Sequence, residues 1–202
     1  MGSFLRIDGE EAPLNAGRLT WYPAVSEHER GLAVHLSAHG PRSLLHVAVF
    51  VPGITAQEVF DFVLDPAQYS KADTKVLGVT KLADTPEGML AREDGLFLGR
   101  FRGSVVTRYR WHVPDRIDVT LEHGVPDRLH AWFEIDEAEI GTRLHHVEEM
   151  DFGHGVLGVF YDAIARRWSE RAVEQEVNEI GRLLQSGERG RGLAAHADPP
   201  RP

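Results

Sequence analysis

Apolar and polar residues alternate through most of the middle of the chain. Six segments share this period of two, which is typical of strands with one buried face; they cover residues 75–82, 89–97, 100–113, 116–123, 128–135 and 142–152. In the fourth segment, Ile117, Val119 and Leu121 fall on one face and charged or polar residues on the other. Connections as short as those between the segments join antiparallel strands. We therefore predict an antiparallel meander.

A strand and two short helices are predicted ahead of this meander. Residues 44–51 form an apolar run rich in β-formers, and Pro52 and Gly53 end it. Thr55 and Glu58 then have the spacing of a capping box, which predicts that a helix begins there. Pro66 ends this helix, and residues 67–69 are predicted to form a second helical turn.

Residues 155–185 change to the period of a helix. Apolar residues recur every three or four positions at Leu157, Phe160, Ile164 and Trp168 and, after a small slip, at Val173, Val177, Ile180 and Leu184. A helix of this length measures roughly 45 Å at ~1.5 Å per residue, and its stripe needs a partner. The apolar face of the sheet is the partner that the sequence offers.

A curved sheet under a straight helix is predicted to enclose a cavity. Twisted strands curl, and a rod laid across the concave face does not fill the space between them. Gly103 falls on the inward face of its strand, and Gly153, Gly155 and Gly158 precede or begin the last helix. Either these glycines enlarge a pocket, or they serve turns and close packing.

Composition narrows the classes of function. The formal net charge of −9 argues against nucleic acid, which binds clustered Lys and Arg. No run approaches the roughly 20 apolar residues that span a bilayer, so stable membrane insertion is not expected. The chain has no cysteine and its start lacks a signal-peptide pattern, so we expect a cytoplasmic protein. Its oligomeric state is not predicted.

One domain is expected, over residues 44–186. Residues 1–43 are rich in Gly, Pro, Ser and charge and predict a poorly ordered arm, although residues 18–22 and 32–36 alternate weakly and are alternative edge strands. Residues 187–202 predict a C-terminal tail.

The order of elements resembles the SRPBCC superfamily, which includes START domains, the birch-pollen allergen and bacterial polyketide cyclase/dehydrase proteins. The resemblance spans residues 44–186, and it rests on residues 56–66 with Tyr69, on the turn at residues 141–144 and on the terminal helix. It implies an α+β helix-grip fold, with a seven-stranded curved antiparallel sheet around the long C-terminal helix. It also implies a pocket mouth near residues 71–75, where a solvated turn is the alternative. Because the superfamily includes lipid carriers, hormone receptors and aromatase/cyclases, the resemblance specifies the fold better than the function.

Ionisable residues are densest at residues 145–149, His-His-Val-Glu-Glu. On a strand, His146 and Glu148 share the face of Leu144 and Met150. If that face is inward, the two are candidate acid/base catalysts; the alternative is a structural ion pair with Arg108 or another arginine. Zinc needs three or four ligands, and one face supplies only two here unless His154 joins. We therefore predict no metal and no cofactor.

Large side chains on the predicted inner surfaces are candidates for lining the pocket. Tyr109 and Trp111 lie on the inward face of the longest strand and suit ligand orientation, although core packing is the commoner role of such residues. The complete candidate ligand-binding set is Tyr109, Trp111, Phe133, His146, Glu148, Phe160, Tyr161, Ile164 and Trp168.

The leading hypothesis is that the protein binds a small apolar molecule, such as a lipid or polyketide, in an internal pocket. A first alternative is a polyketide cyclase/dehydratase in which His146 and Glu148 move protons while Tyr109 holds a carbonyl oxygen. A second alternative is a non-catalytic protein-interaction module. No nucleophile elbow, phosphate-binding glycine loop or dinucleotide fingerprint supports another enzyme class.

Overall fold

The computed structural model describes residues 32–35, 42–98 and 100–187. Their strands form one antiparallel sheet in the order β1-β2-β8-β7-β6-β5-β4-β3. The strands are β1 Leu32–His35, β2 Arg42–Pro52, β3 Val76–Thr85, β4 Gly88–Phe97, β5 Phe101–His112, β6 Arg116–His123, β7 Arg128–Ala138 and β8 Gly141–Asp151. The helix-grip prediction is confirmed, with β1 as an additional strand at one edge.

Two short helices connect β2 to β3. Helix α1 spans Ala56–Leu64 and α2 spans Pro66–Ala72. The predicted capping box is present, because Thr55 Oγ1 accepts from the Glu58 amide while Glu58 Oε2 accepts from the Thr55 amide at 2.9 Å. Asp65 then caps α2 by accepting from the Ala67 amide. Capping residues therefore set the first residue of both helices.

A nearly continuous helix follows the sheet. It comprises α3 Val156–Phe160, a π-helical turn Tyr161–Ala165 and α4 Arg166–Ser186. Helix α4 packs against β2, and at Gly181 the approach is so close that an added Cβ would lie 3.2 Å from Val49 Cγ2. The helix thus covers the concave face at β2 and extends past α1 and α2.

The π-helical turn corrects the predicted stripe at the start of the helix. Leu157 and Ile164 were expected to grip the sheet, but they are 53% and 58% exposed. A π-turn adds one residue to a helical turn and rotates everything before it. Tyr161 and Ala165 consequently face the core, and both are fully buried. From Val173 to Leu184 the predicted stripe is buried as expected.

The predicted strands agree with the structure in position and in facing. The inward face carries the odd-numbered residues of β2 and β5 and the even-numbered residues of β8. Val47 pairs with His146 and Leu45 pairs with Glu148. Tyr109, Leu144 and Met150 belong to the core. On β6, Ile117 and Val119 are buried. The inward face of the meander was therefore assigned correctly.

The predictions for the chain ends fall partly on residues that the structure does not describe. Residues 1–31, 36–41 and 188–202 lie outside it, as does the alternative strand at 18–22. Leu32–His35, within the predicted arm, pairs with β2 as the alternative prediction for 32–36 proposed. Among the described helices, none has the length and apolar character to span a bilayer.

Candidate functional site

Six polar side chains meet on the inner face of the sheet, and we call them the polar cluster. They are Tyr69 from α2, Asp73 and Lys75 from the link between α2 and β3, His146 and Glu148 from β8, and Glu176 from α4. Glu176 has no exposed surface, and the Lys75 side chain is 20% exposed. Four parts of the chain thus bring ionisable groups into one buried site.

Lys75 lies at the centre of the carboxylates. Its Nζ is 3.1 Å from Glu148 Oε1, 3.1 Å from Glu176 Oε2 and 3.8 Å from Asp73 Oδ2. Three carboxyl groups therefore surround one ammonium group. Because a buried charge is costly unless it is compensated, three ionised carboxylates against one cation would be unfavourable here. At least one of the carboxyl groups is expected to hold a proton.

His146 lies between two of the same carboxyl groups. Its Nδ1 is 3.3 Å from Glu176 Oε1, and its Nε2 is 3.8 Å from Glu148 Oε1. The ring of Phe133 stacks on the imidazole at a centroid distance of 4.0 Å, and Phe133 also meets the edge of Tyr69. Tyr69 donates from its hydroxyl to Glu176 Oε1 at 2.6 Å. The aromatic rings therefore fix the imidazole and shield the cluster from water.

Within the polar cluster, burial and neighbouring charges raise the pKa values of some groups and lower those of others. Burial raises the pKa of Asp73 to about 7, against the pull of Lys75, and burial also raises the pKa of Glu176. Burial opposes ionisation of Glu148, but Lys75 and His146 outweigh it and lower the pKa of this carboxyl. Burial lowers the pKa of His146 to about 4, so the imidazole is neutral at pH 7. The proton retained by the cluster therefore lies on Asp73 or Glu176.

The local sequence explains how each of these groups reaches the site. Asp73 Oδ1 accepts from the Lys75 amide at 2.8 Å, which closes a turn after α2 and directs Lys75 inward. Glu176 lies three residues after Val173 and four before Ile180, on the buried stripe of α4. His146 and Glu148 alternate with Val147 on β8, so both point inward.

A second polar group borders the cluster on β4 and β5. Tyr109 donates from its hydroxyl to Glu93 Oε1 at 2.7 Å, and Thr107 donates to the same oxygen. Burial raises the pKa of Tyr109 well above its ordinary value. The charge of Glu93 and its hydrogen bond add to the rise, and the charge of Asp73 adds less. Tyr109, Thr107 and Glu93 thus form a second hydrogen-bonded polar group on the inner face.

The concave face is open near the hairpin that joins β4 to β5. Gly103 and Phe101 share the inward face with Tyr109, yet both are exposed, and no atom beyond its chain neighbours lies within 4 Å of a Cβ built on Gly103. Phe97 meets Trp168 at 5.4 Å and Phe160 at 6.3 Å between ring centroids, and all three rings are half-buried. We call the open inner face at Gly103, together with these three aromatic rings of β4, α3 and α4, the hollow.

The remaining predicted ligand-binding residues have other surroundings. Tyr161 is buried, stacks on Phe152 at 4.0 Å and shares a 2.8 Å hydrogen bond between its hydroxyl and Ser43 Oγ. Trp111 is half-buried and donates from Nε1 to the carbonyl oxygen of Pro86 at 3.0 Å. Ile164 faces outward. The structure therefore groups His146, Glu148, Phe133 and Tyr109 near the cluster, places Phe160 and Trp168 at the hollow, and separates Ile164 from both.

The predicted alternative of an Arg108 ion pair is not what the structure shows. Arg108 Nε pairs with Glu122 Oε1 at 2.6 Å on the outer face. The partners of His146 and Glu148 are instead Lys75 and Glu176, which the sequence interpretation missed. The sequence does contain a sign of Glu176, because a lone carboxylate on an apolar helical stripe indicates a buried charge. Tyr69 is part of the family resemblance and Asp73 falls within the implied pocket mouth at residues 71–75, but neither signal marks the residue as a member of the site.

An open groove of about 820 Å³ lies on another part of the surface, bordered by α2, α4 and β2. Charged or amide side chains of α4, such as Arg171, Glu174 and Asn178, form much of its lining. A polar, open groove does not suit an apolar ligand. The hollow is therefore the better candidate for such a molecule.

Solved structures with this fold include enzymes and START proteins. The Zhui aromatase/cyclase from Streptomyces sp. R1128 has a TM-score of 0.63 at 13% identity, over 74% of this chain and 98% of that one. A START superfamily protein from Mycobacterium smegmatis has a TM-score of 0.55 at 18% identity, over 69% and 98%. The di-domain ARO/CYC BexL from the BE-7585A biosynthetic pathway has a TM-score of 0.60 at 14% identity, over 74% of this chain and 51% of BexL.

These similarities establish the fold, and the chain spans about half the length of the di-domain protein. No curated protein sequence matches the chain. A family model does match it, over residues 53–179, and its description is polyketide cyclase / dehydrase and lipid transport. That match covers the helices, the meander and most of α4, including all six members of the polar cluster. The chain therefore belongs to the polyketide cyclase / dehydrase and lipid transport family.

Proposed function

We propose that the protein binds a small, largely apolar molecule in the hollow, with a polar end of that molecule directed toward the polar cluster. The carrying observation is the open inner face of β5 at Gly103, where no atom beyond the chain neighbours lies within 4 Å of a built Cβ. Family membership supports the same reading. The cytoplasmic location expected from the sequence is part of this proposal.

The lining of the hollow fits such a ligand. Phe97, Phe160 and Trp168 supply apolar ring surface, and Tyr109 with Glu93 supplies polar atoms on the side nearest the cluster. Binding sites for small molecules commonly combine a mostly apolar wall with a few fixed polar groups. The arrangement therefore favours an apolar body with one carbonyl or hydroxyl end over a fully polar metabolite.

Filling the hollow tests the proposal. Gly103→Leu projects a side chain into the open space, so we expect an apolar fluorescent probe such as 1-anilinonaphthalene-8-sulfonate to bind the variant about tenfold more weakly. Arg102→Leu is the matched control, because it adds the same side chain to the outer face of the same strand. Fluorescence titration measures both, and circular dichroism checks the fold. Equal affinity of the two variants for the probe would contradict a site in the hollow.

A second candidate function is an acid/base enzyme of the cyclase/dehydratase type. It is favoured by the buried polar cluster, because perturbed ionisable groups gather at catalytic sites more often than elsewhere. In this mechanism neutral His146, oriented by Glu148, accepts a proton from a carbon next to a carbonyl group. Tyr69 or Lys75, whose pKa values are both raised, donates a hydrogen bond to the carbonyl oxygen as the enol forms.

Glu148→Gln tests this candidate. We expect at least ~100-fold slower enolisation of a poly-β-ketone mimic, since general acid/base groups typically contribute 10²–10⁴-fold. Glu122→Gln is the control, because Glu122 pairs with Arg108 on the exposed face. Absorbance of the enolate in single-turnover experiments measures the rate. If both variants convert the mimic at the rate of the natural protein, the cluster is not the catalyst.

A further inference from the structure

The polar cluster contains the donor atoms of a metal site. One ligand atom each from His146, Glu148 and Glu176 lies within 4.8 Å of the others, and all three residues are buried. Metal–oxygen and metal–nitrogen distances near 2.1 Å place two ligands of one tetrahedral ion about 3.4 Å apart. A contraction of roughly 1.4 Å at most would therefore bring these atoms into a coordination sphere. The sequence missed the set because alternation on β8 supplies two ligands, whereas the third comes from α4.

His146 supplies an observation that is independent of the carboxylates. Its Nδ1 is buried and makes no hydrogen bond to any described residue, although it points toward Glu176 Oε1 at 3.3 Å. Buried imidazole nitrogens normally have a partner, and an unsatisfied one costs free energy. Glu176 Oε2 likewise forms no aligned hydrogen bond in the described part of the chain, and its close contact is the ionic one to Lys75. Both atoms are aimed into the cluster.

The charge balance also favours a divalent cation. Asp73, Glu148 and Glu176 converge on the position that Lys75 Nζ holds, which is 3.1–3.8 Å from each. One ammonium charge leaves this buried group short of positive charge. A divalent ion within the cluster would compensate two carboxylates directly, and the 20% exposure of the Lys75 side chain brings its ammonium group near solvent.

We propose that the polar cluster binds one divalent first-row transition-metal ion, with His146, Glu148 and Glu176 as ligands, in exchange for the ammonium group of Lys75. An imidazole with carboxylate oxygens suits Mn²⁺, Fe²⁺ or Zn²⁺ rather than the all-oxygen preference of Ca²⁺. Asp73 is close enough to Lys75 to become a further ligand or to accept a hydrogen bond from metal-bound water. The proposal does not depend on the ligand of the hollow.

The decisive variant is Lys75→Met, which removes the competing ammonium and keeps an unbranched apolar chain of similar length. We expect Mn²⁺ to bind the natural protein in a 1:1 ratio and to bind Lys75→Met about tenfold more tightly. A gain in affinity cannot result from misfolding. Isothermal titration calorimetry gives the affinity, and the electron paramagnetic resonance spectrum of bound Mn²⁺ gives the stoichiometry, both with tag-free protein.

Two further variants and a control locate the site. Glu176→Gln and His146→Gln are expected to lose at least tenfold in Mn²⁺ affinity, whereas His154→Gln, at an exposed position, keeps the natural affinity. Circular dichroism shows whether each variant is folded. Binding that survives both Glu176→Gln and His146→Gln would place the ion elsewhere among the eleven histidines and overturn the proposal. So would a natural protein that takes up no Mn²⁺ or Zn²⁺ at 1 mM, because Lys75 would then be the permanent cation.

Discussion

The raised pKa of Asp73 makes the contribution of this one residue to stability depend on pH in an unusual direction. Burial raises the pKa of this carboxyl from 3.8 to about 7, and Glu176 adds to the rise. The folded state therefore binds the proton more tightly than the unfolded state. The stabilisation is fully present below pH 3.8 and is lost as the pH rises toward 7, which is opposite to the usual behaviour of an ion-paired carboxylate.

Asp73→Asn is expected to remove that decline. Asparagine keeps an oxygen that accepts from the Lys75 amide, so the turn is preserved while the proton equilibrium is lost. The difference between the free energies of unfolding of the variant and the natural protein should change by about 1.4 kcal/mol per pH unit between pH 4 and 7. Urea unfolding at several pH values measures it.

The control for this substitution is Asp65→Asn, because Asp65 accepts from the Ala67 amide in a comparable cap. It should alter stability without altering the pH slope. Parallel pH profiles for Asp73→Asn and the natural protein would mean that Asp73 is ionised throughout, with Lys75 as a sufficient partner.

The residues of the polar cluster show how far a sequence predicts a site. His146 and Glu148 were found because strand alternation fixes their common face once Leu144 is known to be apolar. Glu176 lies on an apolar helical stripe, and that pattern marks a buried charge without saying which strand it meets. The sequence leaves Lys75 either at a pocket mouth or in a solvated turn, because only the packing of α2 against α4 and the Asp73 turn direct it inward.

At the scale of elements, local chemistry predicted most boundaries. The capping box at Thr55 and Glu58 set the start of α1, and Pro66 separated α1 from α2. The strands of the meander were predictable because each has one buried face and short turns between them. β6, Arg116–His123, agrees with its predicted range residue for residue.

The π-helical turn at Tyr161–Ala165 was beyond the sequence pattern. A period of 3.6 assigns Leu157 and Ile164 to the buried stripe, whereas the additional residue of the π-turn brings Tyr161 and Ala165 there instead. Tyr161 has a tertiary partner that stabilises this register, since its hydroxyl meets Ser43 of β2. Contacts between distant parts of the chain, 118 positions apart, therefore decide what local periodicity does not.

At the scale of the whole molecule, three of the histidines whose side chains the structure describes are buried in neutral form, on β2 and β8. Burial lowers the pKa of His46 to about 4, with His145 and His146 adding to the effect. Burial lowers the pKa of His146 to about 4 and also lowers that of His145, where Asp136 opposes the shift and Arg143 adds to it. His46 and His145 share a contact of 3.1 Å between Nε2 and Nδ1 on the outer face, whereas His146 faces the polar cluster.

We therefore expect the protein to lose stability as the pH falls from 6.5 toward 4. A histidine whose pKa is lowered by folding stabilises the fold at pH values above 6.5, which is its pKa in the unfolded chain. As the pH falls below 6.5 this contribution disappears, because the unfolded state takes up the proton first. Three such groups outweigh the opposite contributions of Asp73 and Glu176, whose pKa values are both raised, leaving a net uptake of about one proton on unfolding. The free energy of unfolding should thus fall by about 1.4 kcal/mol per pH unit at the steepest point.

Urea unfolding between pH 8 and 4.5 measures this slope, and His46→Gln is the informative variant. Removing one of the three imidazoles should reduce the slope by about 1.4 kcal/mol per pH unit, because one proton fewer is taken up on unfolding. His123→Gln, on the exposed end of β6, is the matched control and should leave the slope unchanged. If His46→Gln has the same slope as the control, His46 is protonated within the folded protein, and the acid sensitivity of the fold must arise from carboxyl groups instead.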